Sequence, residues 1–247
     1  MPRYLINYLI NFVYPPRCAA CERRLALETT RRVCADCLAA VERLHEPLCM
    51  VCGVPVDPSR DASAQGWCRG CIAAPPAFTQ ARAITRYRAD DEAHAPVPSM
   101  IRRHKYGRDQ SLAHALAECF GEPIPLAEND YDLVVPVPLH RARLRWRGFN
   151  QAALLGIAIA RRIDRPLDTG SLIRVRATPS QTAKDRQERH RNVHNAFRVS
   201  RPARIANRRI LLIDDVMTTG ATVDECARAL LAAGARRVDV LTLARVL

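Results

Sequence analysis

The chain has 247 residues, of which 48% are hydrophobic, so it can hold one large core or a medium domain with a small appendage. No run of about 18 uncharged apolar residues occurs, and a membrane span is therefore not expected. The net charge of +13 favours polyanionic partners, either pyrophosphate compounds or nucleic acid.

That charge lies almost entirely in residues 81–247, because residues 1–80 carry nine arginines against seven acidic residues. Only Lys105 and Lys184 are lysines. Selection for phosphate-binding guanidinium groups and a GC-rich genome would each produce this excess of arginine. The charge alone does not decide between them.

The N-terminal residues 1–14 are predicted to form a packed amphipathic helix, because their apolar positions recur at helical spacing. Asn7 and Asn11 interrupt the apolar stretch, and no small-residue cleavage site precedes Cys18. These features argue against a secretory signal peptide. A cytoplasmic location is therefore expected.

Eight of the ten cysteines form four Cys-x-x-Cys pairs. Each pair can point two thiolates at one tetrahedral ion, so four pairs predict two structural zinc ions; disulfides are the competing interpretation, which an expected cytosolic location disfavours. The predicted ligands are Cys18, Cys21, Cys34, Cys37, Cys49, Cys52, Cys68 and Cys71.

The pairs could combine in tandem, first with second and third with fourth, or interleave as a cross-brace. We favour the tandem arrangement, because each half repeats one knuckle–hairpin–knuckle plan. Four thiolates leave no open coordination position, so a catalytic zinc is not expected. The remaining Cys119 and Cys226 lie in helical patterns and are predicted to be core residues.

Pro75-Pro76 indicates a domain boundary, which divides the chain into residues 1–76, with the helix and a double zinc ribbon, and residues 77–247. Beyond it, residues 82–88 are predicted to form a strand and residues 97–106 and 109–120 to form helices.

A second strand is predicted over residues 132–135 and leads into a proline-rich turn. A helix is then predicted to begin in the arginine-rich segment 141–151 and to run to about Ile163. Stiff backbone beside guanidinium groups suits a pyrophosphate, although a solvated basic helix with no ligand is the alternative. The candidate pyrophosphate residues are Pro138, Leu139, Arg143 and Arg147.

Residues 178–197 are polar and strongly charged. They could form a plain exposed loop or a lid that carries Gln181, Arg186 and Arg189 to a phosphate site and excludes water from it. The sequence does not decide between these two interpretations.

Residues 210–222 read Ile-Leu-Leu-Ile-Asp-Asp-Val-Met-Thr-Thr-Gly-Ala-Thr. The apolar run 210–213 predicts a buried parallel strand, and residues 222–233 predict a helix that ends before Gly234. The intervening turn lies at a helix N-terminus, which attracts phosphate, while the adjacent carboxylates Asp214 and Asp215 suit hydroxyl groups. A sugar phosphate such as a ribose 5-phosphate fits both.

This stretch resembles the phosphoribosyl-pyrophosphate (PRPP) loop of type I phosphoribosyltransferases. The resemblance implies an α/β fold with a central parallel sheet flanked by helices, and Mg²⁺ bound with PRPP. It also implies that Asp214 and Asp215 are the catalytic acids that hold the ribose hydroxyls. The implied 5-phosphate-binding residues are Val216, Met217, Thr218, Thr219, Gly220, Ala221 and Thr222.

Several further motifs occur with it in one order: the Cys-x-x-Cys pairs, Val-Pro-Val-Pro-Leu, Arg-Gly-Phe-Asn-Gln at 147–151 and Thr-Pro-Ser-Gln-Thr at 178–182. Together they are similar to the ComF family, also called the ComFC/GntX type, over almost the whole chain. This resemblance implies a link to natural competence, the uptake and processing of transforming single-stranded DNA.

Three functions follow as hypotheses: a phosphoribosyltransferase with an unidentified acceptor, a PRPP-sensing regulator, and a non-catalytic adaptor for single-stranded DNA. In the adaptor hypothesis the zinc ribbons dock a partner such as the DNA-uptake machinery. Trp146 and Phe149, set among arginines, are then the candidates for base stacking. The sequence leaves the oligomeric state open.

Overall fold

The structure, a computed structural model, describes residues 11–12, 14–57, 59, 63–88, 95–107, 109–121, 123–126, 130–177 and 191–247. The apolar positions behind the predicted N-terminal helix lie outside these residues, as do the predicted lid residues Gln181, Arg186 and Arg189. Nowhere in the described ranges is a helix both long and apolar enough to cross a bilayer.

A four-stranded parallel sheet forms the centre of the chain. Its strands are β1 (Gln80–Arg86), β2 (Leu133–Pro136), β5 (Arg209–Met217) and β6 (Arg237–Arg245), and they are hydrogen-bonded in the order β1-β6-β5-β2. A separate antiparallel pair consists of β3 (Leu172–Arg174) and β4 (Phe197–Val199).

Helices surround this sheet. In the described residues they are α1 (Ala35–Ala39), α2 (Arg69–Ala73), α3 (Pro96–Tyr106), α4 (Leu112–Glu118), α5 (Arg141–Arg147), α6 (Gln151–Arg162) and α7 (Ala221–Ala232), with a 3-10 turn at Pro202–Arg204. Helices α3, α4 and α6 cover one face of the sheet, whereas α7 and the β3–β4 pair cover the other.

Strand β5 explains why both faces need cover. Ile210 and Leu212 belong to the core on the α7 side, and Leu211 and Ile213 belong to the core on the α6 side. All four side chains are fully buried, as expected for an apolar strand in the middle of a parallel sheet. The predicted α/β architecture, a central parallel sheet flanked by helices, is confirmed.

Most of the predicted elements are present with small shifts. The strands predicted at 82–88 and 132–135, and the helices predicted at 97–106, 109–120 and 222–233, correspond to β1, β2, α3, α4 and α7. Strands β3, β4 and β6 were not predicted. Strand β5 continues four residues past Ile213, because Asp214, Val216 and Met217 still pair with β6.

The predicted helix that runs to about Ile163 is α6, which begins at the end of the arginine-rich segment, but a separate helix, α5, precedes it within that segment. Helix α5 ends at Arg147 and is followed by Gly148, whose φ of +85° is left-handed, and α6 begins after Asn150. The Asn150 side chain caps α6 by accepting from the Ala152 N–H at 3.1 Å, and it donates to the Val137 carbonyl at 3.0 Å. The break is therefore built by a glycine and a capping asparagine that also fixes the β2–α5 turn.

The two cysteine-rich halves repeat one plan. Cys34 and Cys68 each have nearly the same extended backbone angles and each precede a five-residue helix, α1 or α2. Their surroundings differ, however, because Cys18 and Cys37 join the core that includes α3 and α4, whereas Cys49, Cys52 and Cys71 join the core on the α7 side of the sheet. The domain boundary at residue 76 stays a prediction.

Candidate functional site

The segment predicted to bind the 5-phosphate links β5 to α7. Gly220 precedes α7 with a left-handed φ of +83°, and a Cβ added there would lie 2.9 Å from the Met217 Cε atom. The Thr219 hydroxyl accepts weakly from the Ala221 N–H at 3.4 Å. The remaining first-turn N–H groups of a helix have no partner within it, so this turn has the chemistry to bind an anion.

The two adjacent carboxylates lie within β5 and not after it. Consecutive residues of a strand point to opposite faces, so Asp214 faces the α7 side and Asp215 faces the α3 side. Asp215 is 8% exposed and its Oδ2 atom lies 2.9 Å from Lys105 Nζ. Its backbone N–H donates to Asp214 Oδ1 at 2.9 Å.

The surroundings of Asp214 shift its pKa. Burial, followed by the negative charge of Asp215, raises the pKa of Asp214 to about 7, against the opposing effect of Lys105. The pair therefore holds one carboxylate that contacts a lysine and one, Asp214, that exchanges a proton near neutral pH. Such acids can accept hydrogen bonds from a diol.

The predicted pyrophosphate residues lie beyond β2. Pro138 and Leu139 are half-buried in the turn that follows Val137, whose N–H donates to the Ile213 carbonyl at 2.9 Å. Arg143 is half-buried on α5. Neighbouring parallel strands end at one edge of the sheet, so this turn and the β5–α7 turn lie at the same edge.

Arg147 is only 8% exposed, which distinguishes it from a solvated basic residue. Its guanidinium donates to Gln151 Oε1 at 2.8 Å, while its Nε atom and the Gln151 Nε2 atom are buried without a hydrogen-bond partner. Burial lowers the pKa of Arg147, and the charge of Asp215 opposes this shift. A buried cation and free donors beside the acids are suited to an anionic ligand.

Two further charged or titratable residues lie near these acids, Arg174 and His104. Arg174 on β3 has its guanidinium 5.2 Å from the Phe197 ring centre, and burial lowers its pKa while Asp214 opposes the shift. His104 is 1% exposed, with Nδ1 2.7 Å from the Asp109 carbonyl and Nε2 without a partner. No sequence pattern indicated a role for either residue, because Arg174 follows a loop and His104 lies within a helix.

The two residues predicted to stack on bases, Trp146 and Phe149, differ in their exposure to solvent. Trp146 is 55% exposed on α5. Phe149 is buried, with its ring centre 4.8 Å from that of His104, so the prediction that it could stack on a base is wrong. The Phe149 side chain instead anchors the α5–α6 break against α3.

The eight Cys-x-x-Cys thiols form two tetrads, Cys18-Cys21-Cys34-Cys37 and Cys49-Cys52-Cys68-Cys71, each with all four sulfurs within 4.8 Å of one another. This pairing is the tandem one, and it excludes the interleaved cross-brace. Sulfur–sulfur distances of 3.7 Å, from Cys21 to Cys34 and from Cys52 to Cys68, fit a tetrahedral zinc with bonds of about 2.3 Å.

In each tetrad, a backbone N–H group donates to one of the sulfur atoms. The Cys34 N–H points to Cys18 Sγ at 3.3 Å, and the Cys68 N–H points to Cys49 Sγ at the same distance. These bonds stabilise thiolate ligands, so the donor set fits structural zinc at both sites. Cys119 and Cys226 are buried outside the tetrads, as predicted.

Two family profiles match different parts of the chain. The family profile described as a double zinc ribbon domain matches residues 9–74, and the profile described as a phosphoribosyl transferase domain matches residues 150–247. A purine phosphoribosyltransferase from Pyrococcus horikoshii has 15% identity and a TM-score of 0.34, covering 57% of this chain and 75% of its own.

Curated relatives resemble the chain over nearly its full length. The DNA utilization protein YhgH of Salmonella typhimurium is 33% identical over 238 residues, which cover 94% of this chain and 98% of that protein. The competence protein ComFC of Bacillus subtilis is 30% identical over 221 residues, covering 89% and 86% of the two chains. With two cysteine tetrads before a phosphoribosyltransferase-type sheet, the chain belongs to the ComF family of phosphoribosyltransferase-like proteins with an N-terminal double zinc ribbon.

Proposed function

We propose that the chain binds Mg·PRPP at the edge of the sheet formed by the ends of β2 and β5. The observation that carries this proposal is the juxtaposition of a helix N-terminus with an acid pair and a buried arginine. The 216–222 segment would hold the 5-phosphate through backbone N–H groups. Asp214 and Asp215 would accept hydrogen bonds from the ribose hydroxyls.

The pyrophosphate would lie toward the β2–α5 turn. Arg143 and Arg147 on α5 would provide the cations at this edge, and the turn at Pro138 and Leu139 would lie beside them. Bound Mg²⁺ would neutralise part of the pyrophosphate charge. Positioning of the sugar and electrostatic stabilisation of a departing pyrophosphate would provide most of any rate enhancement.

Transfer of the ribosyl group to an acceptor is the activity that this arrangement best supports. The predicted lid, with Gln181, Arg186 and Arg189, would exclude water from the reacting sugar. If no acceptor is consumed, the same site serves a PRPP-sensing regulator.

Isothermal titration of zinc-loaded protein with Mg·PRPP tests binding. We expect saturable binding that Asp214→Asn and Asp215→Asn each weaken about tenfold or more, corresponding to ~1.4 kcal/mol or more. Asp164→Asn is the matched control, because Asp164 is exposed after α6 and asparagine tolerates its left-handed φ of 51°. Absence of binding by the folded protein would overturn the proposal. Binding without pyrophosphate release would leave only the role of a PRPP-sensing regulator.

Single-stranded DNA is the second candidate ligand, and the exposed Trp146 beside the arginines of α5 favours it. The Arg147 guanidinium carbon lies 6.0 Å from the Trp146 ring centre, and Arg141 and Arg145 are exposed on the same helix. The DNA-related names of the relatives point the same way. In this role the zinc ribbons would dock the DNA-uptake machinery.

Fluorescence anisotropy with a labelled oligonucleotide tests this second role. Affinity should fall steeply as salt rises, because binding would release counterions from the phosphates. Trp146→Ala should weaken it by roughly 1–3 kcal/mol if a base stacks there. Salt-insensitive binding, or an unchanged affinity in Trp146→Ala, would count against it.

A further inference from the structure

The second cysteine tetrad is joined to the candidate phosphate loop by one buried arginine. Arg245 ends β6 and pairs in register with Met217, the residue that ends β5. Its Nη1 atom donates to the Cys52 carbonyl and lies 3.6 Å from Met217 Sδ. Its Nη2 atom lies 3.7 Å from Cys52 Sγ. One guanidinium thus contacts a metal-site cysteine and the first part of the loop.

Met217 extends this contact into the loop. It is buried, its carbonyl accepts from the Val246 N–H at 2.9 Å, and its Cε atom fills the space beside Gly220 that a Cβ would need. Arg245 therefore contacts Met217, and Met217 packs against the left-handed glycine that precedes α7.

A second tether connects the same ribbon to the first turn of α7. Asp224 is buried there, and its Oδ1 atom accepts from the Ala77 N–H at 2.6 Å, just after the Pro75-Pro76 segment that follows α2. Asp224 Oδ2 also lies 3.0 Å from Arg228. A cavity of about 810 Å³ lies between the ribbon and the loop, with Cys52, Met217, Gly220 and Arg245 among its lining residues.

The first tetrad is attached elsewhere. The Glu118 carboxylate of α4 accepts from the Arg32 and Val33 N–H groups at 2.9–3.1 Å, and Arg103 of α3 donates to the Ala19 carbonyl at 2.7 Å. These contacts attach the first ribbon to helices on the other face of the sheet. Among the described residues, they do not reach the 216–222 segment.

The charge of an occupied second site suits this arrangement. Zinc held by four thiolates carries a net negative charge, so a buried guanidinium beside Cys52 is favourably placed as an outer-shell partner. The same guanidinium would be held less firmly without that charge.

We propose that Arg245 is a positioning residue, through which the geometry of the 216–222 loop depends on metal occupancy of the second tetrad and not of the first. The second ribbon would then form a wall of the ligand site. The expected effect on PRPP affinity rests on the proposed function, whereas the order of the loop can be measured without any ligand.

Hydrogen–deuterium exchange on the full-length, zinc-loaded protein tests the proposal. Arg245→Met should leave two zinc ions per chain and speed exchange in peptides covering 216–222 by about tenfold or more, corresponding to ~1.4 kcal/mol or more of local opening free energy. Arg82→Met is the matched control: its guanidinium donates to the carbonyls of Cys49 and Met50 in the same knuckle, at 3.4 and 3.3 Å. It should leave the loop protected. Equal exchange in the two variants, or unchanged exchange in Arg245→Met, would overturn the proposal.

Metal removal from one site at a time gives an independent measurement. Cys21→Ser breaks the first tetrad at its exposed ligand and should leave the loop protected with one zinc per chain. Cys68→Ser should expose the loop while peptides from β2 stay protected. If Cys21→Ser opens the loop as much as Cys68→Ser does, the two tetrads are equivalent and the proposal fails.

A loss of exchange protection in the peptides that cover β2 would indicate global unfolding. If Arg245→Met or Cys68→Ser loses protection in these peptides, the Arg245→Lys variant tests the proposal instead. Lysine keeps the positive charge but lacks the second guanidinium nitrogen, which contacts Cys52 Sγ. Intermediate exchange in 216–222 supports the proposal, and wild-type exchange contradicts it. A wild-type chain that binds no Mg·PRPP would overturn the proposed function and leave this exchange result intact.

Discussion

Lys105 Nζ lies 2.9 Å from Asp215 Oδ2, so the last turn of α3 supplies a cation to the acid pair on β5. Lys105 is one of only two lysines in a chain that otherwise uses arginine. A lysine offers a compact point charge and not a rigid bidentate fork. The carboxylate can therefore turn from Lys105 to a ligand without breaking two parallel hydrogen bonds.

Replacing this lysine should change the pH at which the acid pair works. The charge of Lys105 lowers the pKa of Asp214, so Lys105→Met should raise it further. We expect the pH below which Mg·PRPP binding is lost to move up by about one unit, or ~1.4 kcal/mol. Titrations from about pH 6 to pH 8.5 measure this, and Lys105→Arg should restore most of the wild-type profile.

The control is Arg102→Met, which removes an exposed cation three residues earlier on the same helix. It should leave the pH profile unchanged. A parallel shift in this control would mean that general surface charge, and not the ion pair, sets the profile.

Asp214→Asn should stabilise the ligand-free protein near pH 8. The pKa of Asp214 is raised to about 7 from 3.8, so the folded state favours its neutral form. That stabilisation is fully present below about pH 4 and is lost as pH rises through about 7. The amide carries no charge, and we expect a gain of about 1–2 kcal/mol, or ~2–8 °C in Tm.

Thermal unfolding of zinc-loaded protein between about pH 6 and pH 8 checks this prediction, because zinc stays bound in that range. Wild-type Tm should fall toward pH 8 relative to Asp214→Asn, while Asp164→Asn follows the wild type. Parallel curves for wild type and Asp214→Asn would contradict the raised pKa.

Arg147→Met should weaken the binding of pyrophosphate and of Mg·PRPP without affecting ribose 5-phosphate. The buried Nε atom of Arg147 has no partner, and the guanidinium faces the side of the sheet where Asp215 lies. Loss of one charge-assisted hydrogen bond costs roughly 1.5–3 kcal/mol, or about 10- to 150-fold in Kd. Calorimetric titration with each of the three ligands separates these effects.

Arg145→Met is the matched control, since Arg145 is exposed on the same helix. An equal loss in Arg145→Met, or weaker ribose 5-phosphate binding in Arg147→Met, would place the pyrophosphate elsewhere.

The purified protein should contain two zinc ions per chain. Cys37→Ser should reduce the content to one, whereas Cys119→Ser should retain both, because Cys119 lies outside the tetrads. Elemental analysis measures the stoichiometry. Chelation should unfold the ribbons, since structural zinc contributes roughly 10–16 kcal/mol in zinc-finger peptides. Two zinc ions in Cys37→Ser would show that this tetrad does not bind metal as its geometry indicates.

Local patterns were enough to predict the parts of the chain whose signal is short in sequence. The Cys-x-x-Cys spacing indicated the metal ligands and favoured the tandem pairing, because each ribbon is formed by consecutive residues. The apolar run 210–213 indicated a strand with both faces buried. The helix after Gly220 was equally clear, because a glycine and a regular apolar spacing are local features.

The features that the sequence did not predict depend on contacts between residues that are far apart in the chain. Strand β6 is buried along nearly its whole length and contains Asp239 and Arg245, which are stabilised by partners far away in the chain. The break between α5 and α6 depends on Asn150 reaching Val137. Phe149 looked available to a ligand, yet packing against His104 buries it.

By itself, the sequence determined the two metal tetrads, the central strand with its acids, and the helix N-terminus that follows them. Only the tertiary structure decided that Asp214 and Asp215 face opposite sides of the sheet, that Lys105 and Arg147 lie beside one of them, and that Arg245 joins the second tetrad to the loop. The physical reason is distance along the chain: periodicity and spacing describe neighbouring residues, whereas ion pairs and buried hydrogen bonds form between residues that only packing brings together.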